Sequence, residues 1–480
     1  MAWMGPERRA RLLEDVVKRH AVILAVLAAT LAAPPISAGG LEDVDIYFGS
    51  RLRYENLNNY TDLSDHSGTE GNDRVSFTNM RTRLGLMATV ADGVGFDVEL
   101  QNISTFGNTD PFRSEVDPLL QNQPTSASGF GEEPGDTTIY RAVVSLRRIG
   151  GTAFQVDAGR QELVLGSGLI LGNEDFYGGT TLDGARGWYN GGAWQAGGFW
   201  FNTGERSDSG SQFFQGSPVG SDDMTLYGGY GRFTFKGERN RQTVDVYAIR
   251  RDDHARNSGH ANDLTAGVAW LKPVDSVEEA QESPMAWQAE LAWQMGEIED
   301  LLGTGETIDL SGWVFEGRFG WNFVSGRTLH EPFAGAFLIP GEDDFSGTDL
   351  TLFMPLYPEA HGRLGEADFI TVDLASFGFG ITAFKAGYRI RSGRHEGSFT
   401  YWAMDPSEDE ITLGSTSVEL DSFGTEIDLI YDFAYRDQVH LFVSASQFDP
   451  DDSLSDIFFG GANEGDPVTR IYGGLRLMTN

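Results

Sequence analysis

The sequence predicts an all-β chain: a transmembrane antiparallel β-barrel of about eighteen strands behind an N-terminal signal peptide. Three observations predict it. Apolar and polar residues alternate through stretches of about ten residues, the period of a two-faced strand. The connections between these stretches run long, short, long, short, as in barrels with short periplasmic turns and longer outer loops. The only long apolar run lies near the N-terminus and is too short to span a bilayer as a helix.

That N-terminal run reads as a secretory signal. Arg8, Arg9, Arg11, Lys18 and Arg19 precede the apolar stretch 21–31, and Ile36-Ser37-Ala38 before Gly39 suits cleavage. The expected organisation is therefore a signal peptide over 1–38 and a barrel over 39–480. The whole chain carries a formal charge of -36, which argues against a nucleic-acid partner. Removing residues 1–38, with five basic and three acidic side chains, leaves -38. There are no cysteines, which suits passage through an oxidising periplasm. Acidic loops of this kind fit divalent cations that bridge to lipopolysaccharide.

The strands follow in order. In 44–57, Ile46, Phe48, Leu52 and Tyr54 oppose Arg51, Arg53 and Glu55. In 74–90, Met80, Leu84 and Leu86 oppose Asn79, Arg81 and Arg83. After a tight turn, Phe96, Val98 and Leu100 oppose Asp97, Glu99 and Gln101. In 137–148, Tyr140, Ala142, Val144 and Leu146 oppose Arg141, Ser145 and Arg147. The pattern continues through 152–163, 181–190, 192–202, 223–235, 242–251, 262–271, 285–296, 309–323, 328–338, 367–377, 380–391, 421–434, 438–448 and 468–478. A further short stretch, 399–403, would make nineteen, an odd number for a bacterial single-chain barrel, so it is assigned to a long outer loop over 392–420. Trp188, Trp200, Trp270, Trp287, Trp321, Trp402, Tyr435 and Tyr472 sit near strand ends, where two interfacial aromatic girdles would explain them.

Several stretches together resemble the alginate-export family of outer-membrane proteins. They are RLRYE at 51–55, RTRLGL at 81–86, AGRQEL at 158–163, LDGARGWY at 182–189, FMPLYPEAHGRLGEADF at 353–369 and the final hairpin over 424–452. The resemblance implies a monomeric eighteen-stranded barrel in the Gram-negative outer membrane. Its arginine-rich lumen would pass alginate or a related polyuronate outward, gated by loops and turns. Whether a periplasmic secretion partner plugs the barrel stays open at the level of the sequence. The end of the sequence, Leu477-Met478-Thr479-Asn480, departs from the terminal aromatic usual in bacterial barrels.

The candidate substrate-binding residues are those of the inward face: Arg51, Arg53, Arg81, Arg83, Arg141, Arg318, Arg389 and Arg391, interleaved with Glu99, Glu426 and Asp428. A planar, permanently charged guanidinium binds carboxylates in bidentate fashion, and a ring of them selects anions. Arg160 and Arg186 join the set because they fall in the family motifs, although Arg160 shares its parity with Phe154, Val156 and Ala158. For any one arginine the alternative is a wall-stabilising salt bridge. Asp449, Asp451, Asp452 and Asp456 lack the glycine and closing glutamate of a calcium loop and read as a solvated acidic loop. No cofactor or metal ligand set stands out, and no G-x-S-x-G, H-E-x-x-H or Walker motif marks an enzyme. Polyuronate export leads; passive uptake of small anionic solutes or oligosaccharides is the alternative, and an outer-membrane enzyme or structural barrel the third reading.

Overall fold

The computed structural model describes residues 42–60, 74–107, 137–176, 178–203, 224–235, 241–253, 260–299, 306–371, 378–413, 416–459 and 465–479. The expected signal peptide lies outside them. Among the described residues, eighteen antiparallel strands close into a barrel, each bonded to its sequence neighbour. The first, Glu42–Asn58, pairs with the last, Val468–Met478, from Gly49↔Met478 to Asn58↔Thr469 and seals the cylinder. Closure leaves no unpaired edge, a requirement for any sheet whose outer face is solvated by lipid.

The alternation read from the sequence sets the two faces. Leu52 and Tyr54 are 44% and 51% exposed, while Arg51, Arg53 and Glu55 between them are 4%, 2% and 1% exposed. The first set faces outward and the second faces the interior. The same rule holds along Met285–Glu299, where Leu291, Trp293 and Met295 are exposed and Glu290, Ala292 and Gln294 are buried. Short turns and the seam's free ends share one end of the barrel, the periplasmic end by the usual rule. One of these turns carries a helix, Val277–Glu282, started by a capping box between Ser276 and Glu279.

Seventeen of the eighteen expected strands coincide with observed staves to within a few residues. The eighteenth does not. Residues 367–371 carry no strand, and 372–377 lie outside the described residues. The missing stave is His395–Asp405, which contains the stretch assigned to a loop. It pairs with Ile381–Ser392 on one side and Gly424–Arg436 on the other, joined to the former by a tight turn at Gly393-Arg394. The two errors cancel in the count. Phe369 and Ile370 are apolar because they pack inside the lumen, against a core that includes Tyr60, Phe423 and Phe448.

Two other expectations need correcting. Tyr140 does not face lipid. The register between the third and fourth strands shifts after Glu99, which pairs with Arg141, while Leu100 pairs with Ile139. This bulge turns Tyr140 inward, where it is 4% exposed. Of the proposed girdle aromatics, Trp200, Trp270, Trp321 and Tyr435 are exposed on the outer wall, but Trp188, Trp402 and Tyr472 are buried on the inner face.

Two long connections fold into the barrel. Residues 162–181 and 340–371 supply Leu163, Leu165, Leu169, Ile170, Leu171, Phe353, Tyr357 and Leu364 to the largest apolar core. They are joined by backbone bonds: Gly172 N–H to Tyr357 C=O (2.8 Å), Tyr357 N–H to Ile170 C=O (3.0 Å) and Glu359 N–H to Gly168 C=O (2.9 Å). The Glu174 carboxylate accepts from Ala360 N–H and, at 3.4 Å, from His361 N–H. The lumen thus has its own apolar core, which narrows it.

Candidate functional site

The inward faces of the first two strands and the last one bring together five guanidiniums: Arg51, Arg53, Arg81, Arg83 and Arg470. All converge on the tip of the loop 162–181. The Asp175 carbonyl accepts from Arg51 (3.1 Å) and from Arg81. The Phe176 carbonyl accepts from Arg53 (2.6 Å) and from Arg51. The Asp175 carboxylate is held by both Arg81 Nη2 (3.0 Å) and Arg83 Nη1 (2.9 Å). The Phe176 ring lies under the Arg53 guanidinium, 3.8 Å from ring centre to Cζ, and stacks on His361 at 3.2 Å. Arg470 is tied to Glu55 (2.8 Å) and Asp368. The wall arginines are therefore fixed. They meet backbone carbonyls, which carry a dipole and no net charge, as well as carboxylates.

The column continues toward the short-turn end. Arg141 pairs with Glu99 (2.8 Å) and Asp97 (3.0 Å), and Glu99 also approaches Arg83 at 3.8 Å. Arg147 and Arg186 grip the two oxygens of Asp157 at 2.6 and 3.0 Å, with Trp188 about 5 Å from each guanidinium. Arg141, Arg147, Arg186, Asp97 and Asp157 line a cavity of about 890 Å³. Across the barrel, Glu331 is shared by Arg318 (2.7 Å) and Arg389. Arg391 meets Asp275 and Glu396, both at 3.4 Å.

Glu426 and Asp428 are buried on the inner face, beneath the loop 340–371. Glu426 accepts from Ala367 N–H (2.7 Å), and Asp428 accepts from Glu366 N–H (3.2 Å) and the Trp402 indole (3.1 Å). They anchor the loop. Arg160 is the clear exception among the expected lumen residues. It keeps the parity of Phe154 and Ala158, with no register break in its strand, and makes a two-point pair with Asp183 (2.8 and 2.7 Å) on the outer face. It is a rim residue that does not line the lumen.

Sequence reasoning missed Asp175, Phe176, Arg363 and Arg470. Arg470 was within its reach, since it has inward parity in 468–478. The loop residues were not, because nothing local marks a connection that folds inward. Arg363, on the loop 340–371, bonds Glu316, Ser167 C=O (3.2 Å) and Glu359 C=O (2.7 Å), tying both loops to the wall.

The loop groups have shifted acidities. Burial pushes Asp175 up, but Arg81 and Arg83 outweigh it and hold the carboxyl below its usual range. Glu174, buried with few compensating partners, is raised to about 7. Burial works against charge on His361, yet Asp368 (2.6 Å) and Glu366 (3.2 Å) hold its pKa up at about 9.

No family model matches the chain, and no curated protein does. Solved structures do. OccK8 (OprE) of Pseudomonas aeruginosa superimposes with a TM-score of 0.54 at 13% identity, over 92% of this chain and 100% of that one. A BenF-like porin from Pseudomonas fluorescens Pf-5 gives 0.53 at 14% identity, over 92% and 100%. OccAB2 of Acinetobacter baumannii gives 0.53 at 11%, over 92% and 99%. At such identities the likeness shows the fold alone: a closed, eighteen-stranded antiparallel barrel like those of these outer-membrane porins. The alginate-export resemblance has no family match beside it and stands on its motifs.

Proposed function

We propose that this barrel is an outer-membrane channel for passive uptake of small anionic solutes, carboxylates above all. The observation that carries the proposal is the combination of an inward arginine column with a lumen narrowed by two interlocked loops. The cavity of about 890 Å³ beside Arg141, Arg147 and Arg186 is of small-molecule size. Arginines along a narrow passage lower the barrier for anions, and neighbouring carboxylates keep any one site from binding too tightly for release. Arg51, Arg53, Arg81, Arg83, Arg141 and Arg186 are the residues to which we assign selectivity, with Arg318, Arg389 and Arg391 on the opposite wall.

Export of alginate or another polyuronate is the reading that the motif resemblance favours. It requires the junction between 162–181 and 340–371 to part, and that junction is built of backbone bonds and apolar burial. The two readings separate in liposomes. Uptake predicts that proteoliposomes swell faster in gluconate than in uncharged sorbitol, and that oligouronates much longer than a disaccharide leave the rate unchanged. Strong block by long polyuronate, with no preference for gluconate, would favour export.

A further inference from the structure

The fork between Arg81 and Arg83 is already occupied, and its occupant belongs to the protein. Asp175 Oδ2 lies 3.0 Å from Arg81 Nη2 and Oδ1 lies 2.9 Å from Arg83 Nη1, so each carboxylate oxygen meets its own guanidinium. A free carboxylate would bind such a fork in the same way. The two sides of the contact differ in how firmly they are held. The Arg81 and Arg83 side chains are 10% and 14% exposed, but the Asp175 side chain is 48% exposed. Arg83 is locked from behind by Gln101 (2.7 Å) and by the Tyr140 ring, 3.7 Å from its Cζ. The aspartate side chain is the solvent-facing, exchangeable partner.

The loop does not depend on that side chain for its place. The Asp175 and Phe176 carbonyls are bonded by Arg51, Arg53 and Arg81. Glu174 caps the other inward loop, and Gly179 N–H and Thr180 N–H close back on the Glu174 and Asn173 carbonyls at 3.1 and 2.6 Å. Rotation of the Asp175 side chain alone would free Arg81 Nη2 and Arg83 Nη1 with the backbone unmoved.

We propose that Asp175 is a tethered stand-in for the permeating anion: its carboxylate fills the Arg81–Arg83 fork, and each incoming carboxylate passes by displacing it. This rests on the uptake reading and names the residue that sets its affinity. A tethered group competes at an effective concentration of roughly millimolar or above. The fork is thereby kept from holding a solute tightly, which a channel needs for release. It is also never left as two adjacent bare guanidiniums, which would repel one another.

The test is gluconate block of single-channel current through the full-length barrel in planar bilayers. Asp175→Asn keeps the shape and removes the competing charge. It should lower the gluconate concentration for half-block by about tenfold and raise anion selectivity. Adding Arg83→Gln to Asp175→Asn should abolish that gain, and Asp175→Glu should stay near wild type. Folding is checked by heat-modifiable mobility on gels, and Asp175→Ser serves if the amide variant misfolds. Folded Asp175→Asn or Asp175→Ser barrels that are blocked at the wild-type gluconate concentration overturn the proposal and leave the uptake reading intact. Wild-type and variant barrels that both ignore gluconate overturn both.

Discussion

Glu174 is the residue whose removal should open the lumen. Its carboxylate is fully buried and accepts from the backbone N–H groups of Ala360 and His361, joining the two inward loops. Three backbone bonds share this junction. At about 0.5–1.5 kcal/mol each they contribute about 1.5–4.5 kcal/mol. Glu174→Ala leaves the Ala360 N–H buried without its acceptor, a loss of about 1–3 kcal/mol. That is a large share of the docking energy, and it shifts the docked-to-undocked ratio by about 5- to 150-fold. Single-channel recording should then show a larger-conductance level, rare in wild type and occupied at least about fivefold more often in Glu174→Ala. The pH dependence adds a second reading. Burial raises the Glu174 pKa from 4.5 to about 7, so the docked junction binds a proton more tightly than the free loop does. Docking is therefore strongest below the ordinary carboxylate pKa and weakens as pH rises toward 7. Glu174→Gln should flatten the dependence between pH 4.5 and 7. An Glu174→Ala trace indistinguishable from wild type at every pH would refute the idea that this carboxylate fastens the loops.

Other outcomes follow from the same contacts. Arg470→Ala removes one of two cationic partners from each of two buried carboxylates, since Glu55 keeps Arg53 (2.5 Å) and Asp368 keeps His361 (2.6 Å), so the loss should fall below the about 3–5 kcal/mol of a fully broken buried pair; the urea midpoint of the folded gel band should still fall, and an unchanged midpoint would contradict it. Gly474 sits at the seam, where a β-carbon would collide with the Leu52 carbonyl of the first strand. Gly474→Val should prevent closure and abolish the heat-modifiable folded band. Reversing charge on both walls, with Arg81→Glu and Arg389→Glu, should lower the anion-to-cation permeability ratio by at least about tenfold, as read from reversal potentials.

Much of the wall was legible because its code is local. Outward Leu52, Tyr54, Leu291 and Trp293 meet lipid, inward Arg51, Arg53 and Glu290 do not, and period-two alternation records that difference residue by residue. Legibility ended where non-local packing took over. Phe369 and Ile370 looked like part of a lipid-facing strand because a plug inside a barrel has an apolar core of its own. The stave His395–Asp405 was set aside because counting 399–403 beside the false strand 367–377 made nineteen, an odd number. Tyr140 was misplaced by one bulge, which periodicity cannot register. In the site, parity found the arginines but not their partners. Arg81 and Arg83 are met by Asp175, more than ninety positions away in sequence, and only the inward fold of that loop brings it there. The motif resemblance gave Arg160 a lumen role that its own parity denied, and the structure follows the parity.

The central claim is that a chain of formal charge -36 conducts anions, because the arginines of its inner wall decide selectivity and its acidic surplus does not. The most direct measurement is the zero-current potential of the wild-type barrel in a planar bilayer under a tenfold potassium chloride gradient. The account predicts a potential of the sign set by chloride, moving toward zero as salt on both sides is raised and the wall charge is screened. A cation-selective potential would mean that the acidic residues control the pore and would contradict the account.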